Sequence, residues 1–279
     1  MWKQKISISL GNRYTKKTKD LIPLVKRAGF DGVSPEWERN DIAEIVKAAE
    51  DEGLSLVSLH APYGGAKDLW DEDEKISRPV LDELLACLSD AHKYGFPTVV
   101  FHVWISFGEE PVPSEAGLRN LDILVKEAEK YGILVAFENT EGDAHLDAVM
   151  AHFKGNPTVG YCWDSGHEMC YNHSRDLLSL YGDRLFVTHM NDNLGISRFD
   201  GEIFWTDDLH LLPYDGIADW EEFIRRLKRA RSLTYLNFEL STVSKPNRHE
   251  NDLYAKMSYE EFFALAYTRA CRIAWKYAN

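Results

Sequence analysis

Seven short β-rich runs of this sequence end in a residue that can bind a metal ion or move a proton. The runs alternate with amphipathic stretches, so the seven side chains recur at the same point of a repeating pattern. Carboxylates gathered in one place repel each other strongly unless a cation lies between them. Mixed carboxylate and imidazole ligands favour Zn²⁺, Mn²⁺, Co²⁺ or Fe²⁺ over Ca²⁺, so the pattern predicts a divalent metal site. The seven residues are Glu36, His60, His102, Glu138, Asp164, His189 and Glu239.

Two further segments carry residues of the same kinds. His167 follows Asp164 by three residues in WDSGHE, so one loop holds two candidate ligands. Asp208 and His210 occur in DDLH, within the long connection 193–216 between the last two predicted strands. Long irregular connections are often functional. We expect this connection to fold over the mouth of the site and to add two ligands, with a surface-loop role as the alternative.

Eight strands and six amphipathic helices are predicted around these residues. Runs rich in β-branched and aromatic residues indicate the strands, and apolar residues at helical spacing indicate the helices. Gly29, Gly53, Gly95 and Gly132 stand shortly before strands, where glycine favours the end of a helix. The predicted strands are residues 5–10, 32–37, 54–60, 98–104, 133–139, 158–164, 184–192 and 235–241, and the predicted helices are residues 21–28, 41–52, 80–94, 115–131, 219–231 and 259–277.

Eight alternations of strand and helix predict an α/β fold, a (β/α)8 TIM barrel that forms a single domain over residues 1–279. In such a barrel the carboxyl ends of all strands meet at one face, which would bring the candidate ligands together. The rival is a doubly wound open sheet. That fold favours a glycine-rich phosphate loop after the first strand, and SLGNRYTKKT contains no G-x-G-x-x-G.

Composition narrows the function classes. The chain has 279 residues, a formal net charge of −13 and four cysteines without a C-x-x-C pair. The acidic balance argues against a surface dedicated to nucleic acid or anionic membranes. Neither a signal-peptide-like start nor an apolar run of about 18 residues is visible. We therefore expect a reduced, cytoplasmic enzyme that does not act at membranes.

Between residues 54 and 241 the motifs SLHAPY, FEN, WDSGHE, HMNDN, DDLHLLPYDGIADW and NFELS together resemble the xylose-isomerase-like TIM-barrel superfamily. This superfamily includes sugar phosphate isomerases and epimerases and endonuclease-IV-type DNA repair enzymes. The resemblance implies that Glu138, Asp164, His189 and Glu239 hold one metal ion, as in ketose epimerases, and that His167 contacts the substrate. The endonuclease branch implies a wider ligand set for two or three zinc ions, which adds His60, His102, His167, Asp208 and His210.

The chain departs from both branches. The endonuclease pattern has an arginine where this chain has Leu209, and H-P-G where this chain has H-V-W after the fourth strand. Ketose epimerases carry an arginine where this chain has Gly195, although Arg198 is nearby. The identity of the substrate therefore stays open.

The resemblance favours a metal-dependent isomerase or epimerase that acts on a small sugar or related polyhydroxy carbonyl compound through an enediolate. Glu138 and Glu239 would exchange the proton next to the carbonyl, with His167 as the third catalytic residue. One to three ions of zinc, manganese or cobalt would be the cofactor. The alternative is a multi-zinc phosphodiesterase of endonuclease-IV type. A barrel that binds a ligand without turnover and a related lyase or dehydratase are lesser alternatives.

Residues near the ligands provide candidates for substrate binding. Aromatic faces serve as apolar platforms in many small-molecule sites, with covering of the core as the alternative role. We expect His60, His102, Trp104 and Trp163 to bind substrate, and the other aromatic residues near the ligands are Trp37, Tyr63, Phe107 and Trp205.

Four loops are expected at the rim of the pocket, and they carry 15 Asp and Glu residues against the single base Lys67. Such a rim would repel a polyanion. We therefore expect a small sugar-like partner and no nucleic acid, while the oligomeric state stays open. The four loops are residues 63–74, 106–115, 138–145 and 200–208.

Overall fold

Residues 4–108 and 112–279 are described by a computed structural model of the chain, and Glu109 and Glu110 of the expected rim lie outside them. The strands are β1 (Lys5–Leu10), β2 (Gly32–Pro35), β3 (Ser55–Leu56), β4 (Leu59–His60), β5 (Thr98–His102), β6 (Leu134–Glu138), β7 (Val159–Asp164), β8 (Leu185–His189) and β9 (Tyr235–Phe238). The helices are α1 (Thr18–Ala28), α2 (Ile42–Asp51), α3 (Glu74–Tyr94), α4 (Glu115–Tyr131), α5 (Asp143–His152), α6 (Ser165–Cys170), α7 (Leu177–Tyr181), α8 (Trp220–Leu227), α9 (Asp252–Ala255) and α10 (Tyr259–Ala278).

The strands form two parallel sheets that meet at two seams. One sheet has the order β3-β2-β1-β9 and the other β4-β5-β6-β7-β8. A parallel bridge between Glu36 and His60 joins the sheets at one seam. A second parallel bridge, between Met190 and Phe238, joins them at the other seam. The two bridges close the strands into a ring, and the predicted α/β barrel is confirmed.

The third predicted strand, residues 54–60, is not continuous. Its first half, β3, pairs with β2, and its second half, β4, pairs with β5. Val57 lies between the halves, and its amide donates to the carbonyl of Val33. The chain therefore changes its pairing partner at this point, which is how one sheet passes into the other.

Burial explains why these runs form a barrel rather than a half-exposed sheet. In β7 every residue is buried, and in β1 only the first residue is exposed. Parallel strands covered by helices on the outside are buried on both faces and read as continuous apolar runs. The helices are apolar on one side, as in α4, where Leu121, Leu124, Val125 and Ala128 are buried.

Several helix boundaries differ from the predicted ones. Helix α3 begins at Glu74 rather than at residue 80, because Asp73 caps it through the amide of Lys75 and Pro79 is accommodated inside it. WDSGHE is not a loop, because α6 begins directly after Asp164. Helices α5 and α7 were not predicted. The four glycines expected at helix ends all have positive φ, between 63° and 114°, as the prediction requires.

No helix within the described part of the chain is both long enough and apolar enough to span a membrane.

Candidate metal centre and active site

Most of the candidate ligands occupy the last position of a strand. Neighbouring strands pair in a register that sets His102 beside Glu138 and Asp164 beside His189. Glu239 follows β9 by one residue, and its amide donates to the carbonyl of Met190. The strand ends are therefore aligned, and the barrel brings these side chains to one face. The residues that end strands β4 to β8 are His60, His102, Glu138, Asp164 and His189.

Four of these residues, which we call the inner group, lie within metal-binding distance of one another. The group consists of Glu138, Asp164, His189 and Glu239, all of them buried, with ligand atoms within 4.8 Å of one another. His189 Nδ1 lies 3.1 Å from Glu138 Oε1 and 3.1 Å from Glu239 Oε2. The two carboxylates thus face the same imidazole nitrogen from two different strands.

Three histidines surround Glu138 in addition to His189. His60 Nε2 and His102 Nε2 lie 3.3 Å and 3.2 Å from Oε2. His167 Nδ1 lies 3.3 Å from Oε1. Burial by itself would raise the pKa of Glu138, but the charge of His189 and the hydrogen-bonding contact with His102 outweigh it and hold this pKa well below its usual range. Burial also lowers the pKa of His102 to about 4, which leaves that ring neutral.

The donor set fits a cation. Glu138 Oε1, Glu239 Oε2 and His189 Nδ1 are buried, yet none forms a hydrogen bond of favourable geometry with any residue the structure describes. Buried polar atoms without partners are rare in proteins and call for an explanation. Two carboxylate oxygens and an imidazole nitrogen that face one another form a donor set that suits a divalent ion.

Asp164 both caps a helix and faces the inner group. Its Oδ1 accepts from the amide of His167 at 2.7 Å, which starts α6. Asn191 Nδ2 donates to both carboxylate oxygens at 3.1 Å. Burial raises the pKa of Asp164 to about 6. The cap fixes His167 one helical turn away and turns it toward Glu138.

Arg13, in the connection after β1, was not predicted as a site residue. Its Nη2 lies 2.9 Å from Glu239 Oε1, and its Nη1 lies 2.7 Å from Glu36 Oε1. Burial would raise the pKa of Glu239, but Arg13 and then His189 hold it well below the usual range. The guanidinium therefore fixes one oxygen of Glu239 and leaves Oε2 directed at His189. Glu36, a strand-end candidate, orients Arg13 instead of joining the inner group.

A second cluster, which we call the outer group, consists of His167, Asp208 and His210. Asp208 Oδ2 lies 2.9 Å from His210 Nε2, and Asp208 Oδ1 lies 3.5 Å from His167 Nε2. Lys245 Nζ is 3.2 Å from Asp208 Oδ2. His210 has a φ of +49°, a left-handed conformation that is uncommon for a residue with a side chain and is often found at functional sites.

Asp192 anchors the connection 193–216, which carries Asp208 and His210 of the outer group. Its buried carboxylate accepts from the amides of Tyr214 and Ala218 and from Trp220 Nε1, at 2.8 to 3.0 Å. Its backbone pairs with Leu211 in an antiparallel bridge. This network holds the end of the connection against the barrel, so Asp208 and His210 project into the site, as expected for a connection that covers the mouth.

A cavity of about 530 Å³ opens above the two groups. His102, His167, Asp208 and His210 line it. Two cations, Arg13 and Lys245, also line it. The expectation of an acidic surround with Lys67 as its single base therefore needs correction, because both cations come from connections outside the four loops that were counted.

The structure separates the predicted substrate-binding residues. His102 lines the cavity, whereas His60 is buried beneath it against Glu138. Trp163 is fully buried on the outer side of the barrel, where its ring packs on Phe223 and its Nε1 donates to Glu168.

Trp104 is not among the described residues that line the cavity either, because its ring stacks on His145 at 4.2 Å. Trp104 and Trp163, both predicted to bind substrate, are thus not among the described residues that line the cavity, and both pack against other rings.

Tyr171 and Glu141 also line the cavity without having been predicted as site residues. Tyr171 follows α6 and stacks on His167, with ring centroids 4.9 Å apart. Glu141 accepts from the amide of Ser106 at 2.5 Å, and burial raises the pKa of Glu141 to about 7. Glu141 stands three residues after Glu138, a spacing that could have identified it, whereas nothing in the sequence places Tyr171 at the site.

Parallel strands closed into a ring, with ligand-type side chains at their carboxyl ends, define a TIM barrel with its active-site face at that end. The chain belongs to the xylose isomerase-like TIM barrel family, whose model matches residues 22–257. It is 30% identical over 192 residues to the uncharacterized protein y4fM of Sinorhizobium fredii, in an alignment that covers 63% of this chain and 58% of that protein. The aligned part of the chain thus spans less than two thirds of the relative's length.

Solved structures share the fold. The IolI protein, solved with a bound zinc atom, superposes with a TM-score of 0.76 at 17% identity, covering 98% of this chain and 99% of that one. D-psicose 3-epimerase, solved in the presence of D-fructose, superposes with a TM-score of 0.72 at 16% identity, covering 99% of this chain and 100% of that one.

Proposed function

We propose that this protein is a metal-dependent isomerase or epimerase of a small sugar or related polyhydroxy carbonyl compound. The observation that carries the proposal is the pair of buried carboxylates, Glu138 and Glu239, that approach one imidazole nitrogen of His189 at 3.1 Å each. An epimerase needs two proton-carrying groups on opposite sides of one carbon, and we assign these roles to Glu138, at the end of β6, and Glu239, one residue after β9.

The inner group would hold the metal. A zinc atom in the structurally similar IolI protein supports a transition metal, and manganese and cobalt suit the same ligands. When bound, such an ion stabilises negative charge on the substrate oxygen next to the carbon that loses its proton. Similar folds that act on ketoses, such as D-psicose 3-epimerase, support a sugar substrate.

The carboxylates perform the proton transfers. One of them, Glu138 or Glu239, removes the proton next to the carbonyl, and the electron pair moves onto the oxygens as an enediolate. If the other, in its protonated form, returns a proton to the same carbon from the opposite side, that centre is inverted. If the first carboxyl instead returns its proton to the former carbonyl carbon, and the proton of the neighbouring hydroxyl passes to the former carbonyl oxygen, the carbonyl moves and the product is an isomer.

Neighbouring residues hold the two carboxylates in different ways. Arg13 binds one oxygen of Glu239 at 2.9 Å, so that carboxylate keeps a fixed orientation. Glu138 is surrounded by rings, and the neutral His102 faces both Glu138 and the cavity. His167, whose backbone is fixed by Asp164, is suited to donate a hydrogen bond to a substrate oxygen.

The test is solvent exchange at the proton next to the carbonyl. Apo-protein reconstituted with Mn²⁺, Co²⁺ or Zn²⁺ is incubated in D2O with D-fructose, D-psicose, D-tagatose and L-ribulose, and the loss of the proton signal is followed by NMR. We expect metal-dependent exchange that falls at least about a thousandfold in Glu138→Gln, because the base is removed. Glu202→Gln, at an exposed surface pair with Arg198, is the matched control and should keep full activity. Exchange that survives in Glu138→Gln would contradict the proposal.

A phosphodiesterase of endonuclease-IV type is the second candidate, and one observation favours it. In addition to the inner group, two sets of three ligand atoms lie within 4.8 Å of one another. One set is His60 with Glu138 and His189, and the other is the outer group. Three adjacent ion sites suit an in-line displacement at phosphorus. Elemental analysis of purified protein decides between the candidates: one ion per chain supports the isomerase, and three ions with cleavage of abasic duplex DNA support the phosphodiesterase.

A further inference from the structure

The cavity has a charged floor and an aromatic side, and the two are continuous. A series of stacked and tilted rings starts at His167 of the floor. Tyr171 lies 4.9 Å from His167, and Phe107 lies 5.3 Å from Tyr171. Phe204 continues the series at 6.5 Å from Phe107. The rings run without a break from the proposed reaction centre toward solvent.

Exposure increases along this series. His167 and Tyr171 are only 3% and 7% exposed, whereas Phe204 is 44% exposed. Trp205, beside Phe204, is 41% exposed and lines the cavity. Large aromatic side chains left open to water beside a polar site are a feature of ligand-binding surfaces, since scattered exposed residues do not line up in this way.

The aromatic side is assembled from separate parts of the chain. Phe107 comes from the connection after β5, Tyr171 follows α6, and Trp205 belongs to the connection 193–216. Tyr171 Oη donates to the carbonyl of Trp205, which joins two of these parts. The apolar residues that line the cavity are Ile105, Phe107, Tyr171, Trp205, Val243 and Pro246.

A free sugar would use only part of this cavity. Cavities of about 300–1,000 Å³ bury ligands of drug size, and this one measures about 530 Å³. A sugar that carries a hydroxyl on every carbon would have to set some hydroxyls against the apolar side, and buried polar groups without partners are costly. An apolar group attached to the sugar removes that cost and covers the rings.

We propose that the substrate is a keto sugar linked at its glycosidic carbon to an apolar, ring-shaped substituent, as in an aryl glycoside that carries a free carbonyl on another ring carbon, with the sugar on the charged floor and the ring between Phe107, Tyr171 and Trp205. This inference rests on the proposed function, because it takes the floor as the place of the sugar. It adds the chemical class of the group attached to that sugar.

Isothermal titration with matched glycosides tests the inference without any need for turnover. The probes are the phenyl and methyl β-D-glycosides of glucose, galactose and xylose, added to protein loaded with one equivalent of Zn²⁺. For at least one of the three sugars, we expect the phenyl glycoside to bind about tenfold more tightly than the methyl glycoside, as burial of the ring predicts. Equal affinities in all three pairs, or binding by none of the six compounds, would overturn the inference.

Variants locate the preference. Trp205→Ala and Phe107→Leu should reduce the phenyl-to-methyl ratio to less than about threefold, because each removes ring contacts. Phe199→Ala is the matched control, since Phe199 is fully exposed and is not among the described residues that line the cavity. A phenyl-to-methyl ratio that persists in both cavity variants contradicts the inference.

This inference and the proposed function can fail separately. If the phenyl-to-methyl ratio behaves as expected but ketose exchange is absent, the proposed isomerase activity fails and the aromatic subsite stands. If exchange occurs and the ratio is one, this inference alone fails.

Discussion

The outer group lines the cavity and the inner group is buried next to it, where Glu138 contacts His167, yet the protein builds the two groups by different means. Three inner residues are the last residues of strands, and the register of the barrel fixes their positions. Two outer residues, Asp208 and His210, belong to a connection without strand pairing beyond a single bridge, and Asp192 anchors it. Barrel geometry therefore sets the inner group, whereas a hydrogen-bond network sets the outer group.

This difference predicts unequal consequences of substitution. The inner group holds the proposed proton carriers on rigid elements, so its loss should remove activity without disordering the chain. Asp208 and His210 of the outer group depend on the buried carboxylate of Asp192. A substitution at Asp192 should therefore disturb these two residues, although Asp192 is not itself a candidate ligand. The predictions below test that contrast in order of expected effect.

The largest effect is expected for Glu239→Gln. The amide keeps the shape of the side chain but cannot accept the proton, so exchange of the ketose proton with D2O should fall about a thousandfold or more. The fold should persist, with a circular dichroism spectrum like that of the wild type. Glu260→Gln, at an exposed pair with Arg27, is the control and should leave the rate unchanged. A rate within tenfold of the wild type for Glu239→Gln would remove the inner group from catalysis.

The next effect is expected for Asp192→Asn. One carboxylate oxygen is lost as an acceptor for the amides and indole that it holds, and buried donors without partners should destabilise the protein by about 2 kcal/mol. Limited proteolysis should then cut the connection 193–216 faster, and urea denaturation should report the loss. Asp200→Asn, in the same connection but exposed and paired with Arg198, should change neither measurement. Equal cleavage of Asp192→Asn and wild type would mean that another contact anchors the outer group.

A smaller effect is expected for Arg13→Met. Without the guanidinium, Glu239 loses its fixed oxygen, and the pKa of Glu239 rises because the cation that lowers it is gone. We expect kcat to fall about tenfold with little change in KM, since positioning acts on the proton transfer, and Arg13→Lys should restore part of the loss. A tenfold rise in KM with kcat unchanged would place Arg13 in substrate binding instead.

The smallest effect is expected for Glu141→Gln and depends on pH. Burial raises the pKa of Glu141 from 4.5 to about 7, so the folded state favours the neutral form and wild-type stability falls as the pH rises through that interval. The variant lacks this loss, and part of the gain at high pH is offset because an amide oxygen accepts from Ser106 more weakly than a carboxylate does. Metal-free Glu141→Gln should thus be more stable than wild type by about 1 kcal/mol at pH 8 and equal to it below pH 4. Urea denaturation at the two pH values measures this, and a gain at low pH instead would have the wrong sign.

The same contrast explains what the sequence could reveal. The alternation of strands and helices, with ligand-type residues at the strand ends, predicts that Glu138, Asp164 and His189 lie at one face of the barrel. This prediction is possible because the barrel brings the carboxyl ends of all its strands to the same face. The break between β3 and β4 was not predictable, since it depends on the change of pairing partner at Val57.

The remaining site contacts join distant parts of the chain. Arg13 forms an ion pair with Glu239, which lies 226 residues later in the chain. Lys245 forms an ion pair with Asp208, which belongs to a different connection. The left-handed conformation of His210 is likewise not expected from its residue type. Local pattern carries no information about such pairs, so the cations of the cavity were missed.

The most direct test of the central claim is anomalous diffraction at the zinc edge from crystals grown with one equivalent of Zn²⁺. We predict one dominant peak at about 2.0–2.2 Å from side-chain atoms of Glu138, Asp164, His189 and Glu239. A dominant peak between His167, Asp208 and His210, with none at the four inner residues, would contradict the claim that the inner group is the reaction centre.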